Sequence, residues 1–62
     1  MIMDLNYYDK NGSLLFYNDY VEIKTKDIGT HRGYVRSFNN GNVKVGCLAG
    51  ELRVPANKIV KL

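Results

Sequence analysis

Gly33-Tyr34-Val35-Arg36-Ser37-Phe38-Asn39-Asn40-Gly41-Asn42-Val43-Lys44-Val45-Gly46-Cys47-Leu48-Ala49-Gly50-Glu51-Leu52-Arg53-Val54 holds three alternating segments separated by two turn signals. Gly33, Val35 and Ser37 fall on one face of the first segment, and Val43, Val45 and Cys47 on the same face of the second. A three-residue loop at Asn39-Asn40-Gly41 sets Val35 against Val45 and Gly33 against Cys47. A two-residue turn at Ala49-Gly50 then sets Cys47 against Leu52 and Val45 against Val54. A slip of one residue would turn every one of these sets out to solvent. The stretch therefore predicts an antiparallel β-meander.

The flanking segments extend it. Tyr20-Val21-Glu22-Ile23-Lys24-Thr25 alternates with Val21 and Ile23 inward, so it reads as the strand before the meander. A polar loop from Lys26 to His31, with Gly29 as pivot, joins it to a strand over 32–38. Asn42 to Leu48 and Glu51 to Val54 are the next two strands. Pro55 cannot donate to a ladder and ends the last of them. Residues 55–58 form one tight 3₁₀ turn, and Ile59-Val60-Lys61-Leu62 returns as a closing strand. Upstream, Leu5 to Tyr8 and Ser13 to Tyr17 flank Asp9-Lys10-Asn11-Gly12 as a hairpin, because Asp caps turns and Asn-Gly supplies positive φ. The prediction is one all-β domain over 1–62: an N-terminal hairpin (1–18) and a small, partly open barrel (19–62). Its core would hold Val21, Ile23, Val35, Val45, Cys47, Leu52, Val54 and Ile59.

Sixty-two residues lie near the lower limit for one self-sufficient core. The single cysteine excludes an internal disulfide framework and suits a reducing compartment, so the expected location is cytoplasmic. No apolar run approaches bilayer length, and Met1-Ile2-Met3-Asp4 lacks the features of a signal peptide, so no membrane partner is expected. The net charge of +3 is uneven. Residues 1–20 carry one lysine against three aspartates, whereas residues 21–62 carry eight Lys or Arg against three acids. A basic barrel points to a polyanionic partner such as nucleic acid.

The order of strand, polar loop, three-strand meander, one-turn helix and closing strand resembles the SH3-like barrel. Residues 19–62 resemble a KOW-type module in particular. The likeness rests on Asp19-Tyr20-Val21-Glu22-Ile23, on Gly29 and Gly33-Tyr34-Val35, on Val43-Lys44-Val45, and on Val54-Pro55-Ala56-Asn57-Lys58-Ile59. Asn18-Asp19 stands where Gly-Asp is usual, and the interval from Gly29 to Gly33 is one residue longer than common. The resemblance implies RNA or ribosome-associated partners, carried here to Arg32, Tyr34 and Arg36.

The same register arranges the outward residues in rows. Arg32 and Glu51 flank Leu48; Tyr34 lies over Gly46 toward Arg53; Arg36 faces Lys44, with Phe38 exposed at the hairpin tip. Like charges directly opposite one another destabilise a ladder unless an anion sits between them. Aromatic rings interleaved with cations suit single strands, since bases stack while phosphates are neutralised. The candidate nucleic-acid face is therefore Lys24, Lys26, Arg32, Tyr34, Arg36, Phe38, Lys44 and Arg53. The bland alternative is a solvated basic surface in which Tyr34 merely covers Gly46.

A second function class competes with this one. Tyr7, Tyr8, Tyr17 and Tyr20 concentrate near the chain start, and if exposed together would mark a protein interface, making the domain an interaction adaptor or weak homodimer. Enzyme chemistry has little to stand on. Cys47 reads as a small core hydrophobe, His31 has no metal-ligand or catalytic companion at a useful spacing, and Asp9, Asp19 and Asp27 fit turn capping. No catalytic residue, metal or cofactor is expected.

Overall fold

In a computed structural model, which describes residues 6–62, five strands follow one another: Tyr20–Thr25 (β1), Gly29–Asn39 (β2), Asn42–Cys47 (β3), Gly50–Pro55 (β4) and Ile59–Lys61 (β5). A 3₁₀ turn, Ala56–Lys58, separates β4 from β5. All pairings are antiparallel, in the order β4-β3-β2-β1-β5. β4 and β5 are the two edges, so the sheet stays unclosed. The arrangement is a small antiparallel β-domain compatible with an SH3-like topology, as the strand-and-turn pattern predicts.

The core is nearly all β-branched. Val21, Ile23, Val35, Val43, Val45 and Ile59 have no exposed surface, and Val54 and Leu15 are buried beside them. These positions alternate along each strand, so the period of two delivers one apolar face. Val43 and Leu15 join the expected set. Leu52 packs only partly, and Cys47 is half-buried near the rim, where its thiol donates to the Gly50 carbonyl (3.2 Å). Cys47 is therefore not the core hydrophobe expected.

Two register details differ from expectation, and both have local causes. Val35 does pair with Val45 and Gly33 with Cys47. Beyond them, however, Ser37 pairs with Lys44 and Phe38 with Val43, leaving Arg36 as an extra residue in a β-bulge. The bulge lets the hairpin close on two residues, Asn40 and Gly41, at φ 52° and 84°. Two positive φ values mark the type I′ turn, whose twist matches that of the flanking strands and which favours Asn-Gly. Phe38 is thereby turned toward the core side, opposite buried Val43.

The second hairpin turns at Leu48-Ala49 instead of Ala49-Gly50. Cys47 thus pairs with Gly50, Val45 with Leu52 and Val43 with Val54. The shift is two residues, so every inward residue stays inward. The turn between β1 and β2 is also tighter than expected. β2 begins at Gly29, and His31 lies on that strand opposite Ile23, hydrogen-bonded through Nε2 to the Ile28 carbonyl (2.7 Å).

Residues 6–19 strap the barrel. Of the expected N-terminal hairpin, Leu5 lies outside the described residues. The remainder forms one bridge, Tyr8–Leu14, and a Leu15 N–H bond to the Tyr7 carbonyl (2.8 Å). Asp9 organises the turn. Its Oδ1 accepts from the backbone N–H of Asn11 (2.9 Å) and Ser13 (2.7 Å), and its Oδ2 from that of Lys61 (2.8 Å) on β5. Burial acts to raise the Asp9 pKa, but these three donors, aided by the Lys61 charge, outweigh it and hold it below the usual 3.8. Lys10 N–H completes the strap by donating to the Ile59 carbonyl (2.7 Å).

Candidate nucleic-acid interface

The outer face of the sheet begins with the row Tyr20, Tyr34, Gly46 and Glu51, paired across β1 to β4. The Tyr20 and Tyr34 rings lie 5.1 Å apart at a tilt of 51°. Both are about half exposed, so they offer an aromatic surface to solvent. The missing side chain of Gly46 is covered by Arg36, not by Tyr34. A Cβ built at Gly46 would lie 3.2 Å from both Cγ and Cδ of Arg36. The bulge is what brings the Arg36 stem there, because it removes Arg36 from the position opposite Lys44.

The ion pairs also differ from the expected rows. Arg32 pairs with Glu22 across β1 and β2 (3.0 Å), not with Glu51. Glu51 approaches Lys44 (3.7 Å), and Lys44 lies between Ser37 and Arg53 in the ladder. The expected clash of Arg36 against Lys44 is therefore absent, and Lys44 has a carboxylate partner. Both pairs are substantially exposed and contribute little to stability.

A different cluster of cations stands unneutralised. Lys24, Lys26, Arg53 and Lys58 line one open groove between the β1–β2 turn, the end of β4 and the 3₁₀ turn. Asp27 is the sole acid among the described residues that line it. Among the described residues, none of these four cations makes an ion pair. Lys24 and Lys58 also border a second depression with Lys10, Glu22 and Val60. Glu22 in turn borders a third, which contains Tyr20, Tyr34, Arg32 and His31. Three adjoining hollows thus lead from the lysine groove to the tyrosine pair.

Of the eight residues singled out by sequence, Lys24, Lys26 and Arg53 come together in the groove, and Arg32 and Tyr34 share the tyrosine hollow. Arg36 and Lys44 sit on the sheet beyond it. Phe38 is separate: its half-buried ring stacks on Tyr7 (4.8 Å, 24°) and meets the edge of Tyr17 (5.1 Å). Lys58 and Lys10 were missed because they lie far from β1 in sequence, and only the return of β5 beside β1, with Lys10 bonded to Ile59, brings them to Lys24. Nothing in the local pattern around either residue signals it.

The four N-terminal tyrosines do not form one patch. Tyr7 is half-buried against Phe38, and its hydroxyl accepts from the Gly41 N–H (3.0 Å). Tyr20 belongs to the outer sheet face. Tyr8 and Tyr17 remain exposed, as does Phe16, over whose ring Lys61 Nζ lies at 5.1 Å. Asp19 caps the Phe16 N–H (2.8 Å) and pairs with Lys61 (3.2 Å). Among the described residues, no group of three or more His, Cys, Asp or Glu is placed to hold a metal ion. No helix there is long and apolar enough to cross a membrane.

This is a small β-domain presenting exposed basic and aromatic residues, and no protein-family model, curated protein or solved structure matches the chain.

Proposed function

We propose that the domain is a non-catalytic binding module for single-stranded nucleic acid, RNA first among the candidates. Phosphates would follow Lys26, Lys24, Lys58 and Arg53, and bases would rest on Tyr20 and Tyr34, with Arg32 at their side. The observation that carries this reading is the groove of four cations without an ion-pair partner among the described residues. Unpaired cations gathered in a concavity focus a positive potential that a phosphate backbone relieves. The adjoining tyrosine pair supplies stacking, which tolerates any base. The resemblance of residues 19–62 to KOW-type modules points to the same ligand class.

The test is fluorescence anisotropy with labelled single-stranded RNA and DNA at 50 and 200 mM salt. Four neutralised phosphates on a single strand give a log–log slope of about −3, or an affinity loss of about 50-fold over that range. Lys24→Glu with Lys58→Glu should abolish binding while the amide spectrum stays dispersed. Absence of binding at 50 mM salt, or full affinity in the double variant, would reject the proposal.

The second reading, a protein-interaction adaptor, draws on the exposed Phe16 and Tyr17, which border an open groove with Leu14 and Leu15. Sedimentation of the Tyr8→Ser and Tyr17→Ser variants tests it. It requires an assembly that these changes dissolve.

A further inference from the structure

The two edges of the sheet are treated differently. On β5, the outward Ile59 carbonyl accepts from Lys10 N–H, and the outward Lys61 N–H donates to Asp9. That edge is covered. On β4, no backbone or side-chain hydrogen bond reaches the outer side from any described residue.

The hairpin geometry says which groups are left open. Cys47 and Gly50 close a two-residue turn, so they exchange both N–H···O bonds, and alternate pairs along the ladder do the same. Leu52 and Val54 therefore spend their backbone groups on β3. Glu51 and Arg53 point theirs away. β4 is six residues long, is paired with β3 without a bulge and contains no lysine. Bulges, lysines, other charged side chains and proline are the usual means of blunting an edge; β4 has Pro55 at its end, and its two charged residues, Glu51 and Arg53, are of opposite sign.

We propose that β4 is a self-association edge whose occupant is β4 of a second copy of this chain. A two-fold axis at Leu52 sets Glu51 opposite Arg53 of the second copy, and Arg53 opposite its Glu51. Each such pair exchanges two backbone hydrogen bonds and brings opposite charges face to face on the outer surface. The neighbouring registers that keep the same hydrogen-bond parity place Glu51 against its own equivalent, or Arg53 against its own. Both are disfavoured by like charges directly opposite. Charge therefore selects a single isologous register, in which each residue meets its complement. The interface is small, which makes the dimer weak and concentration-dependent. It does not rest on the nucleic-acid reading.

The experiment is done without nucleic acid, at low salt. Sedimentation velocity and amide exchange are measured on the parent protein over a wide concentration range. The expected result is a monomer–dimer equilibrium in which the Glu51 and Arg53 amides, unprotected when dilute, become protected as concentration rises. Glu51→Arg alone and Arg53→Glu alone each set like charges face to face at two symmetric places and should weaken association about tenfold or more. Combining the two swaps restores opposite charges in the same register and should restore the dimer. A protein that stays monomeric at millimolar concentration overturns the proposal. So does a dimer whose Glu51 and Arg53 amides gain no protection, or a folded double swap that fails to regain association.

Discussion

Replacing Asp9 with alanine probes the strap between the N-terminal turn and β5. The carboxylate accepts three backbone N–H bonds, and hydrogen bonds to a charged group contribute roughly 1.5–3 kcal/mol each. The Asn11 and Ser13 donors lie in an exposed turn where water replaces much of what they lose. The Lys61 N–H sits in the sheet edge beneath the strap, where replacement is harder. The expected cost at pH 7 is therefore about 3 kcal/mol, below the simple sum. A domain of this size has a total stability of only about 3–9 kcal/mol. Urea unfolding followed by tyrosine fluorescence should show the midpoint falling by about 3 M, for a slope near 1 kcal/mol/M.

The pH dependence fixes the cause. The Asp9 pKa is lowered in the folded state, so its stabilisation is fully present above the unfolded value near 3.8 and is lost as pH falls through the lower, folded value. The gap between parent and Asp9→Ala should consequently narrow below pH 3.8. Asp9→Asn keeps one acceptor, able to serve Asn11 and Ser13, and turns an amide donor toward Lys61. It should lie between the two proteins and lack the acid dependence. An alanine variant within about 0.5 kcal/mol of the parent at pH 7, or a penalty unchanged in acid, would refute this account of the strap.

Gly33 and Gly46 should respond in opposite ways to alanine. A Cβ at Gly33 would overlap the Gly46 carbonyl oxygen and lie 2.8 Å from its carbon, both fixed backbone, so thermal unfolding of Gly33→Ala should show a loss of more than about 2 kcal/mol. At Gly46 the neighbour is the flexible Arg36 stem, and Gly46→Ala should stay within about 1 kcal/mol of the parent. Val45→Asp places a carboxylate with no partner between Val35 and Leu52, and circular dichroism at 25 °C should report an unfolded chain. Phe38→Ala removes the ring linking Tyr7 to Tyr17 and should cost about 2 kcal/mol in urea. A negligible cost would mean that the aromatic cluster does not hold the strap.

The candidate site was legible in part. Lys24 and Lys26 neighbour each other in sequence, and Tyr34 and Arg32 follow from strand alternation, so their outward placement could be read directly. Ion-pair partners could not. Glu22 neutralises Arg32 because β1 and β2 pair with that register, and Glu51 reaches Lys44 because the second hairpin turns one residue earlier than the turn residues suggest, which shifts the pairing by two. Phe38 illustrates the limit most sharply. One bulged residue converts it from an expected surface platform to a half-buried ring stacked on Tyr7 and met by the edge of Tyr17.

Sequence alone settled the five strands of the sheet and, outside the stretch of β2 beyond Val35, which side of each faces inward, since both are encoded every second residue in β-branched side chains and bounded by Asn, Gly and Pro. Tertiary structure decided who faces whom. A two-residue shift between β3 and β4 leaves every valine inside, so alternation cannot detect it. The bulge at Arg36 trades one unpaired residue for a favoured Asn40-Gly41 turn, a balance decided only when both strands are present. Likewise, Lys58 and Arg53 come to Lys24 and Lys26 only when the chain curls back through the 3₁₀ turn and β5 pairs with β1, because positions remote in sequence become neighbours by long-range pairing and not by local pattern.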